Sequence, residues 1–241
     1  MMDEHQRILK AYQTRQGRTR ERFFGYENLA HVCRIHERHR ETLRFLHITG
    51  YHPLSDLHIL DVGCGDGNML RQFLQWGAQP EQLAGIELRP EPVHKANYLN
   101  PNLDVRCGSA TNLPWSDASF DLVCQHTVFT SILDPTMKQQ IATEMSRVLR
   151  PGGAVLWYDF IYNNPRNPDV CGVKPGEIRQ LFPGFQAYLR RITLVPFIAR
   201  RLPKITLPVL YPLLASIPLL RTHCLGLLVK PPFCTVEQDH L

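Results

Sequence analysis

Three glycines at alternate positions separate a short apolar run from a helical pattern in the first third of the chain. Gly63, Gly65 and Gly67 lie within the segment LDVGCGDGN, residues 60–68. Glycine lets a backbone approach a ligand closely, and the start of the following helix offers free N–H groups and partial positive charge. Such a turn can bind a phosphate or a carboxylate. The dinucleotide fingerprint G-x-G-x-x-G requires glycine where this chain has Asn68, so the spacing disfavours an NAD-type site.

Two acidic residues accompany this turn. Asp61 lies two residues before the first glycine, and Glu87 ends the next apolar run. A carboxylate at the end of a second strand can accept hydrogen bonds from both hydroxyls of a ribose. The combination predicts a nucleotide site in which Glu87 holds the sugar.

Polar residues that could act on a second substrate follow two further apolar runs. Gln125 and His126 end the fourth run, and Tyr158 and Asp159 lie near the end of the fifth. An unperturbed histidine has a pKa suited to a general base, which makes His126 a candidate for that role, although its side chain could instead bond only to the backbone. Asp159 could accept from a substrate hydroxyl or cap a loop. Because side chains alternate along a strand, only one of Tyr158 and Asp159 is expected to face the cleft.

A parallel sheet would bring these residues to one edge. The hydrophobic pattern predicts strands at 58–62, 83–87, 103–107, 120–125, 154–160, 186–195 and 222–229, and helices at 28–48, 68–76, 91–99, 135–149 and 176–181. This alternation predicts a doubly wound α/β fold with a seven-stranded, mostly parallel sheet. Open sheets of this kind bind ligands at the carboxyl ends of their strands.

The length and composition indicate one large globular domain, or one domain with attached segments. The chain has 241 residues, of which 44% are hydrophobic and 20% charged, with a formal net charge of +5. Its seven cysteines include no C-x-x-C pair, so we expect neither a disulfide framework nor a metal site. Residues 1–22 are charged and lack the apolar core of a secretory signal, which predicts a cytoplasmic location.

The motifs resemble those of class I S-adenosylmethionine-dependent methyltransferases, in order, over residues 56–160. Residues 60–67 are similar to the family's first motif, hydrophobic-D/E-x-G-x-G-x-G. The other matching segments are IEL at 86–88, RCGSATNLP at 106–114, FDLVCQ at 120–125 and VLRPGG at 148–153. Within the family, the chain is most similar to the broad group of small-molecule methyltransferases.

The resemblance implies a Rossmann-like fold, S-adenosylmethionine as the cofactor, and an antiparallel last strand, residues 224–229, beside strand five. The residues it implies for cofactor binding are Asp61, Gly63, Cys64, Gly65, Gly67, Glu87, Leu88, Ser109, Ala110 and Gln125. Ser109 stands where the family commonly has the aspartate that binds adenine, and a hydroxyl is the weaker acceptor. The candidate catalytic residues are His126, Asp159 and Tyr158.

The C-terminal part of the chain is cationic and apolar. Residues 178–236 contain no Asp or Glu, and residues 196–221 are apolar with several prolines. We expect residues 196–221 to form a lid-like insertion between strands six and seven, with two short helices, a bend near Pro208 or Pro212, and Leu210, Leu213 and Leu214 facing inward. The predicted organisation is an N-terminal helical extension, residues 1–50, followed by a methyltransferase domain, residues 51–241.

The function that the sequence favours is methyl transfer to a small or lipid-linked acceptor, at oxygen. The alternatives are an RNA or protein methyltransferase, a non-catalytic S-adenosylmethionine-binding subunit, or, less favoured by Asn68, an oxidoreductase. Residues 196–221 also allow peripheral contact with a membrane, but the apolar run 205–220 is shorter than the roughly 20 residues that span a bilayer. No nucleic-acid partner is expected, and the sequence does not indicate an oligomeric state.

Overall fold

The computed structural model describes residues 3–15, 25, 27–165 and 167–232. Within this part of the chain, seven strands form one sheet. They are β1 (Ile59–Val62), β2 (Leu83–Glu87), β3 (Asp104–Cys107), β4 (Phe120–His126), β5 (Leu149–Phe160), β6 (Gln186–Leu194) and β7 (Arg221–Val229). The remaining residues of the predicted N-terminal extension, 1–2, 16–24 and 26, lie outside the described residues.

The strands lie in the order β3-β2-β1-β4-β5-β7-β6. β1 to β5 pair in parallel, whereas β7 runs antiparallel to both β5 and β6. The predicted fold, including the antiparallel last strand beside strand five, is confirmed. Because the strand order reverses at β1, the carboxyl ends of β1 and β4 form the switch point at which open sheets bind ligands.

Eight helices are described around this sheet. They are α1 (Glu4–Arg15), α2 (Leu29–Ile48), α3 (Asn68–Gln75), α4 (Pro90–Leu99), α5 (Pro135–Val148), α6 (Pro175–Leu181), α7 (Pro196–Ala199) and α8 (Leu207–Ala215). None of the described helices is both long and apolar enough to cross a bilayer.

The core consists of two layers, one on each face of the sheet. Apolar residues of α2, α3 and α4 cover one face, with Phe73 fully buried against the strands. α5 and α6 cover the other face, where Met145 and Trp157 are fully buried. β1 and β2 are buried along their whole length, which explains why they are read in the sequence as continuous apolar runs.

Two helices begin at residues that the sequence marks as caps. The side chain of Asn28 accepts a hydrogen bond from the His31 N–H at the start of α2. Asp134 accepts from the Thr136 N–H at the start of α5, where Pro135 takes the first helical position. These local signals explain why the predicted starts of both helices lie within one residue of those observed.

The connection between β6 and β7 contains two short helices, as expected, but their details differ from the prediction. The chain bends at residues 200–206, and both prolines lie inside α8. Pro208 is in the first turn of α8, where no N–H partner is needed, so it does not break the helix. The inward-facing side chains are Leu207, Tyr211 and Ala215. The prediction that Leu213 faces inward is wrong, because its side chain is mostly exposed.

One buried hydrogen bond ties this connection to α2. The Tyr211 hydroxyl donates to Oε2 of Glu37 over 2.9 Å, and both side chains are buried. Burial raises the pKa of the Glu37 carboxyl, although the Tyr211 hydroxyl and the Thr193 backbone oppose that shift. A buried carboxyl that loses a partner is costly, so this bond should fix the position of α8.

We therefore expect Tyr211→Phe to lower the free energy of unfolding by about 1–2 kcal/mol, because it removes one donor from Glu37 while keeping the ring. Urea denaturation measures this loss. A matched control is Tyr98→Phe, whose side chain is exposed on α4 and should have no effect. Equal stability of wild type and Tyr211→Phe would show that this bond does not hold the connection.

Candidate active site

The sheet register places four predicted site residues on one face. Asp61 of β1 pairs with Gly85 of β2 and with Cys124 of β4. Glu87 and His126 lie two residues further along those two strands, and His126 pairs with Tyr158 of β5. Side chains two apart on a strand share a face, and so do paired residues of neighbouring strands. All four side chains therefore lie on the face that α2 and α3 cover, at or near the carboxyl ends of their strands.

The turn between β1 and α3 has a left-handed backbone at all three glycines, with φ of +69° at Gly63, +56° at Gly65 and +76° at Gly67. A Cβ at Gly63 would collide with the Val128 side chain, whereas a Cβ at Gly65 would meet no protein atom within 4 Å. The Cys64 thiol packs into the core, so only the backbone of this residue belongs to the turn. The space beside Gly65 is therefore where a ligand can contact the backbone.

The carboxylate of Glu87 is already held at the end of β2. Its Oε2 accepts from the Gly65 N–H over 3.0 Å, and its Oε1 accepts from the backbone N–H and the Nε of Arg89 over 3.1 and 2.8 Å. Glu87 is buried. Each carboxylate oxygen has two acceptor positions and three of the four are used, so Glu87 retains one position, on Oε2, for a ligand hydroxyl.

Helix α1 covers the ends of β2 and β3. Nε2 of His5 lies 2.7 Å from Oγ of Ser109, and the Arg89 guanidinium lies 4.2 Å from the centre of the Tyr12 ring. Leu88 and Ala110 are half-buried in the same region. The hydroxyl of Ser109, the predicted adenine-binding group, therefore faces α1.

Two ion-pairing residues of α1 fix the helix in this place. Glu4 accepts from the Leu133 N–H over 2.7 Å, and Arg7 donates to the Ser131 carbonyl oxygen over 2.6 Å while also pairing with Glu4. Both partners lie in the loop after β4. α1 therefore bridges the strand ends on the two sides of the switch point.

Several buried polar atoms near the glycine turn have no hydrogen-bond partner among the described residues. They include Oδ1 of Asp61, Nε2 of Gln125 and both ring nitrogens of His126. Nδ1 of His126 lies 3.5 Å from Oδ1 of Asp61, close enough for electrostatic attraction but outside hydrogen-bond geometry. Unpaired buried polar atoms are rare and costly, so their concentration at the switch point indicates a ligand site.

A polar and aromatic wall continues from His126 across β5 and β7. The Arg38 guanidinium of α2 lies 5.4 Å from the centre of the Tyr158 ring, and His223 stacks on the same ring at 4.7 Å. The Tyr158 hydroxyl lies 3.0 Å from Oγ1 of Thr193. Burial raises the pKa of Tyr158, so the phenol is neutral and serves as a hydrogen-bonding group.

Burial also lowers the pKa of His126, and the nearby Arg38 cation acts in the same direction, while Asp61 opposes the shift. The imidazole is therefore neutral at neutral pH, which is the form that accepts a proton.

Asp159 points to the opposite face from Tyr158. Its carboxylate is fully buried and accepts from the backbone N–H groups of Thr130 and Phe160 over 3.2 and 2.9 Å. Burial raises its pKa to about 7. The geometry is that of a cap on the loop after β4, whereas the catalytic role suggested for Asp159 stays a prediction.

Four residues at this site were not found from the sequence: His5, Tyr12, Arg38 and Arg89. Arg89 directly follows the segment 86–88, and its position next to Glu87 was the one available signal. The others lie on N-terminal helices, where a charged or aromatic residue looks like any exposed one until the helix is docked.

Comparison with known proteins agrees with this arrangement. Residues 60–157 match the family model of a methyltransferase domain. The chain is 32% identical over 148 residues to norajmaline N-methyltransferase of Rauvolfia serpentina, covering 58% of this chain and 48% of the relative. It is 34% identical over 148 residues to phthiotriol/phenolphthiotriol dimycocerosates methyltransferase 1 of Mycobacterium ulcerans, covering 60% and 53%. The chain thus spans about half the length of the curated relatives it matches.

Solved structures share the fold at low sequence identity. A SAM-dependent methyltransferase from Archaeoglobus fulgidus superposes with a TM-score of 0.60 at 14% identity, covering 88% of this chain and 98% of the other. A SAM-dependent methyltransferase from Methanosarcina mazei gives 0.57 at 17% identity, covering 77% and 98%. The resemblance is confirmed for residues 60–157, which match a methyltransferase domain.

Gly65→Val is expected to weaken the binding of S-adenosylhomocysteine by roughly a hundredfold or more, because the branched side chain fills the open space beside the turn. Isothermal titration measures the affinity. Gly77→Val is the matched control, since Gly77 also has positive φ and open space but follows α3 away from the site. Both variants should lose stability, and only Gly65→Val should lose the ligand. Equal affinities in the two variants would place the ligand elsewhere.

Proposed function

We propose that this chain transfers a methyl group from S-adenosylmethionine to an oxygen of a small or lipid-linked acceptor, since residues 60–157 match a methyltransferase domain and the fold is shared with SAM-dependent methyltransferases. One observation carries the proposal: Asp61, Glu87, His126 and Tyr158 lie on one face of the sheet, at or near the carboxyl ends of the four adjacent strands β1, β2, β4 and β5. In this proposal the two carboxylates hold the cofactor, and His126, beside Asp61, acts on the acceptor.

The residues present fit S-adenosylmethionine. Glu87 would accept from a ribose hydroxyl through the remaining position on Oε2, and the backbone at Gly65 leaves room beside it. Oδ1 of Asp61 is an acceptor with no hydrogen-bond partner among the described residues and suits an ammonium group, while Nε2 of Gln125 is a donor that suits a carboxylate. When bound, the cofactor supplies a methyl carbon on a positively charged sulfur, which a nucleophilic oxygen can displace.

The proposed role of His126 is to take the proton from the acceptor hydroxyl. Its ring nitrogens have no hydrogen-bond partner among the described residues, and burial keeps the imidazole neutral. Asp61, at 3.5 Å, would stabilise the imidazolium formed during proton transfer. Tyr158, bonded to Thr193 and stacked on His223, would orient the acceptor as a neutral hydrogen-bonding group.

A cavity of about 410 Å³ lies between α2, β6 and α8. None of the predicted cofactor residues lines it, so it is separate from the glycine turn. Its wall combines apolar residues, among them Ile192, Pro208 and Pro212, with charged groups of both signs, Arg190 and Arg221 beside Glu37 and Glu41. A lining of this kind suits a molecule that has both apolar and charged parts.

Transfer of a labelled methyl group tests the proposal. The protein is incubated with S-adenosylmethionine carrying a ¹³C methyl group, together with either a lipid extract or a water-soluble extract of cells. We expect S-adenosylhomocysteine to form and a new ¹³C signal of a methoxy carbon, which differs in chemical shift from N-methyl and C-methyl carbons. Gly65→Val is the control that should give neither. A new N-methyl or C-methyl signal would contradict transfer to oxygen.

Thermal melting tests cofactor binding by itself, so a wrong acceptor can be distinguished from a wrong cofactor. S-adenosylhomocysteine should raise the melting temperature by linkage, whereas NAD should not. A shift with NAD alone would contradict the cofactor assignment.

With the acceptor identified in this way, His126→Gln should lower kcat by roughly 10²- to 10⁴-fold, the usual contribution of a general base. In the wild type, kcat should be constant above neutral pH and fall on acidification, with a midpoint below 6.5, because burial lowers the pKa of His126. His126→Gln should lack this acid limb and keep its affinity for S-adenosylhomocysteine. If His126→Gln kept the kcat of the wild type, His126 would not be the general base.

A further inference from the structure

Helix α8 is apolar all round, yet it lies on the surface. Its sequence, LPVLYPLLA, contains no charged residue. Leu207, Tyr211 and Ala215 pack inward, while Val209 and Leu213, one turn apart on the outer side, are 71% and 62% exposed. A surface helix in water normally presents a polar outer face, and a helix that is apolar all round is normally buried. α8 has the composition of a helix whose outer face also meets an apolar phase.

The residues on either side of α8 extend this exposed apolar surface. Ile205 is 90% exposed and Leu219 is 81% exposed, and Phe197 and Ile217 are exposed as well. Residues 196–221 thus supply six of the thirteen large apolar side chains that are exposed in the described part of the chain. Single exposed apolar side chains are ordinary, but such a concentration on one short connection indicates an interaction surface.

The charges on this surface all have one sign. Arg200, Arg201 and Lys204 are exposed between α7 and α8, and the Arg201 guanidinium lies 3.5 Å from the centre of the Phe197 ring. No Asp or Glu occurs between residues 178 and 236. The carboxylates of α2 that lie nearby, Glu37 and Glu41, are buried and engaged with Tyr211 and Arg190. The formal charges within residues 196–221 are therefore all positive.

Apolar side chains flanked by cations match the interface of an anionic bilayer. Val209, Leu213 and their neighbours would enter the boundary between headgroups and acyl chains, and the cations would meet lipid phosphates. The long stems of Arg and Lys let the charge stay in the headgroup layer while the apolar side chains go deeper. A protein partner of equal apolarity would not require the excess of positive charge.

The surface lies at the edge of the sheet that holds the active site. β6 runs antiparallel to β7, which runs antiparallel to β5, so β6 is parallel to β1–β5. The connection that leaves the end of β6 therefore starts at the same edge as the glycine turn. A bilayer bound there would lie at the edge where the strands present the candidate active site.

We propose that residues 196–221 form a membrane-docking surface that binds anionic lipid bilayers, with Val209 and Leu213 inserted and Arg200, Arg201 and Lys204 on the headgroups. This attachment goes beyond the proposed methyl transfer and does not depend on it.

Co-sedimentation with vesicles tests the docking surface. Wild-type protein should bind vesicles of phosphatidylcholine mixed with phosphatidylglycerol at low salt, bind vesicles of phosphatidylcholine alone much more weakly, and dissociate at high salt. Protein that stays in the supernatant with the anionic vesicles at low salt would overturn the proposal.

Two variants separate the apolar and the cationic contributions. Val209→Gln with Leu213→Gln should weaken binding by roughly tenfold or more, through lost apolar burial. Arg200→Gln, Arg201→Gln and Lys204→Gln together should weaken it by roughly a hundredfold, at about 1 kcal/mol per cation, and remove most of the salt dependence. All five side chains are exposed, so both variants should fold, which circular dichroism and melting check.

Matched controls carry the same changes elsewhere on the surface. Ile48→Gln with Leu99→Gln alters two other exposed apolar side chains, and Lys10→Gln, Arg44→Gln and Lys174→Gln removes three other exposed cations. Both controls should bind vesicles as the wild type does. Controls that lose binding as much as the surface variants would overturn the proposal, because adsorption would then follow only overall charge and apolarity.

Two further measurements distinguish the other outcomes. Sedimentation velocity measures self-association. If the wild type self-associates but does not bind vesicles, and Val209→Gln with Leu213→Gln abolishes the self-association, the surface binds a second copy of the chain and the proposal is overturned. The thermal shift with S-adenosylhomocysteine should be unchanged in the surface variants. If S-adenosylhomocysteine raises the melting temperature of neither the wild type nor the variants while the wild type still binds vesicles, the methyl-transfer proposal is contradicted and the docking surface stays supported.

Discussion

The hydrogen bond from the Gly65 N–H to the Glu87 carboxylate joins the turn after β1 to the end of β2, and the geometry of the site depends on it. A donor at Gly65 can point towards Glu87 because the backbone there is left-handed, a conformation that costs glycine little. The same bond orients the carboxylate that we propose for the ribose. Arg89 holds the other carboxylate oxygen and, by stacking on Tyr12, connects this strand end to α1.

Burial of polar groups beneath α2 is the second constraint. Arg38, His126, Tyr158 and His223 form a continuous layer between this helix and the sheet. A layer of this kind is destabilising unless its donors and acceptors are paired, and several atoms beside it have no partner within the described chain. Polar groups that are left unpaired at a ligand site lower the stability of the free protein, and a ligand that forms hydrogen bonds with them restores this stability. The free energy of binding and the stability of the fold are therefore coupled at this site.

The connection between β6 and β7 shows how one element can serve two surfaces. Its inner side is fixed by the Tyr211–Glu37 bond and by packing on β6. Its outer side presents apolar and cationic groups that contribute little to the packing of the domain. Since the segment starts from the edge that holds the active site, its partner and the acceptor would approach the same part of the molecule. A lipid-linked acceptor would suit this arrangement, because it is concentrated in the phase to which the surface is complementary.

The sequence by itself determined the seven strands, their approximate bounds and the glycine turn, because these follow from local hydrophobic period and from the backbone freedom of glycine. It also predicted that only one of Tyr158 and Asp159 could face the cleft. Only the tertiary structure decided which one: the register places Tyr158 under α2 and turns Asp159 towards the loop after β4. It also decided the contacts of α1, such as His5 with Ser109, which are 104 residues apart. The outward position of Leu213 was likewise not readable, because a helix that is apolar all round has no sequence signal for its inner face. Local patterns report period and turn chemistry, whereas the docking of helices depends on surfaces that exist only after the sheet has formed.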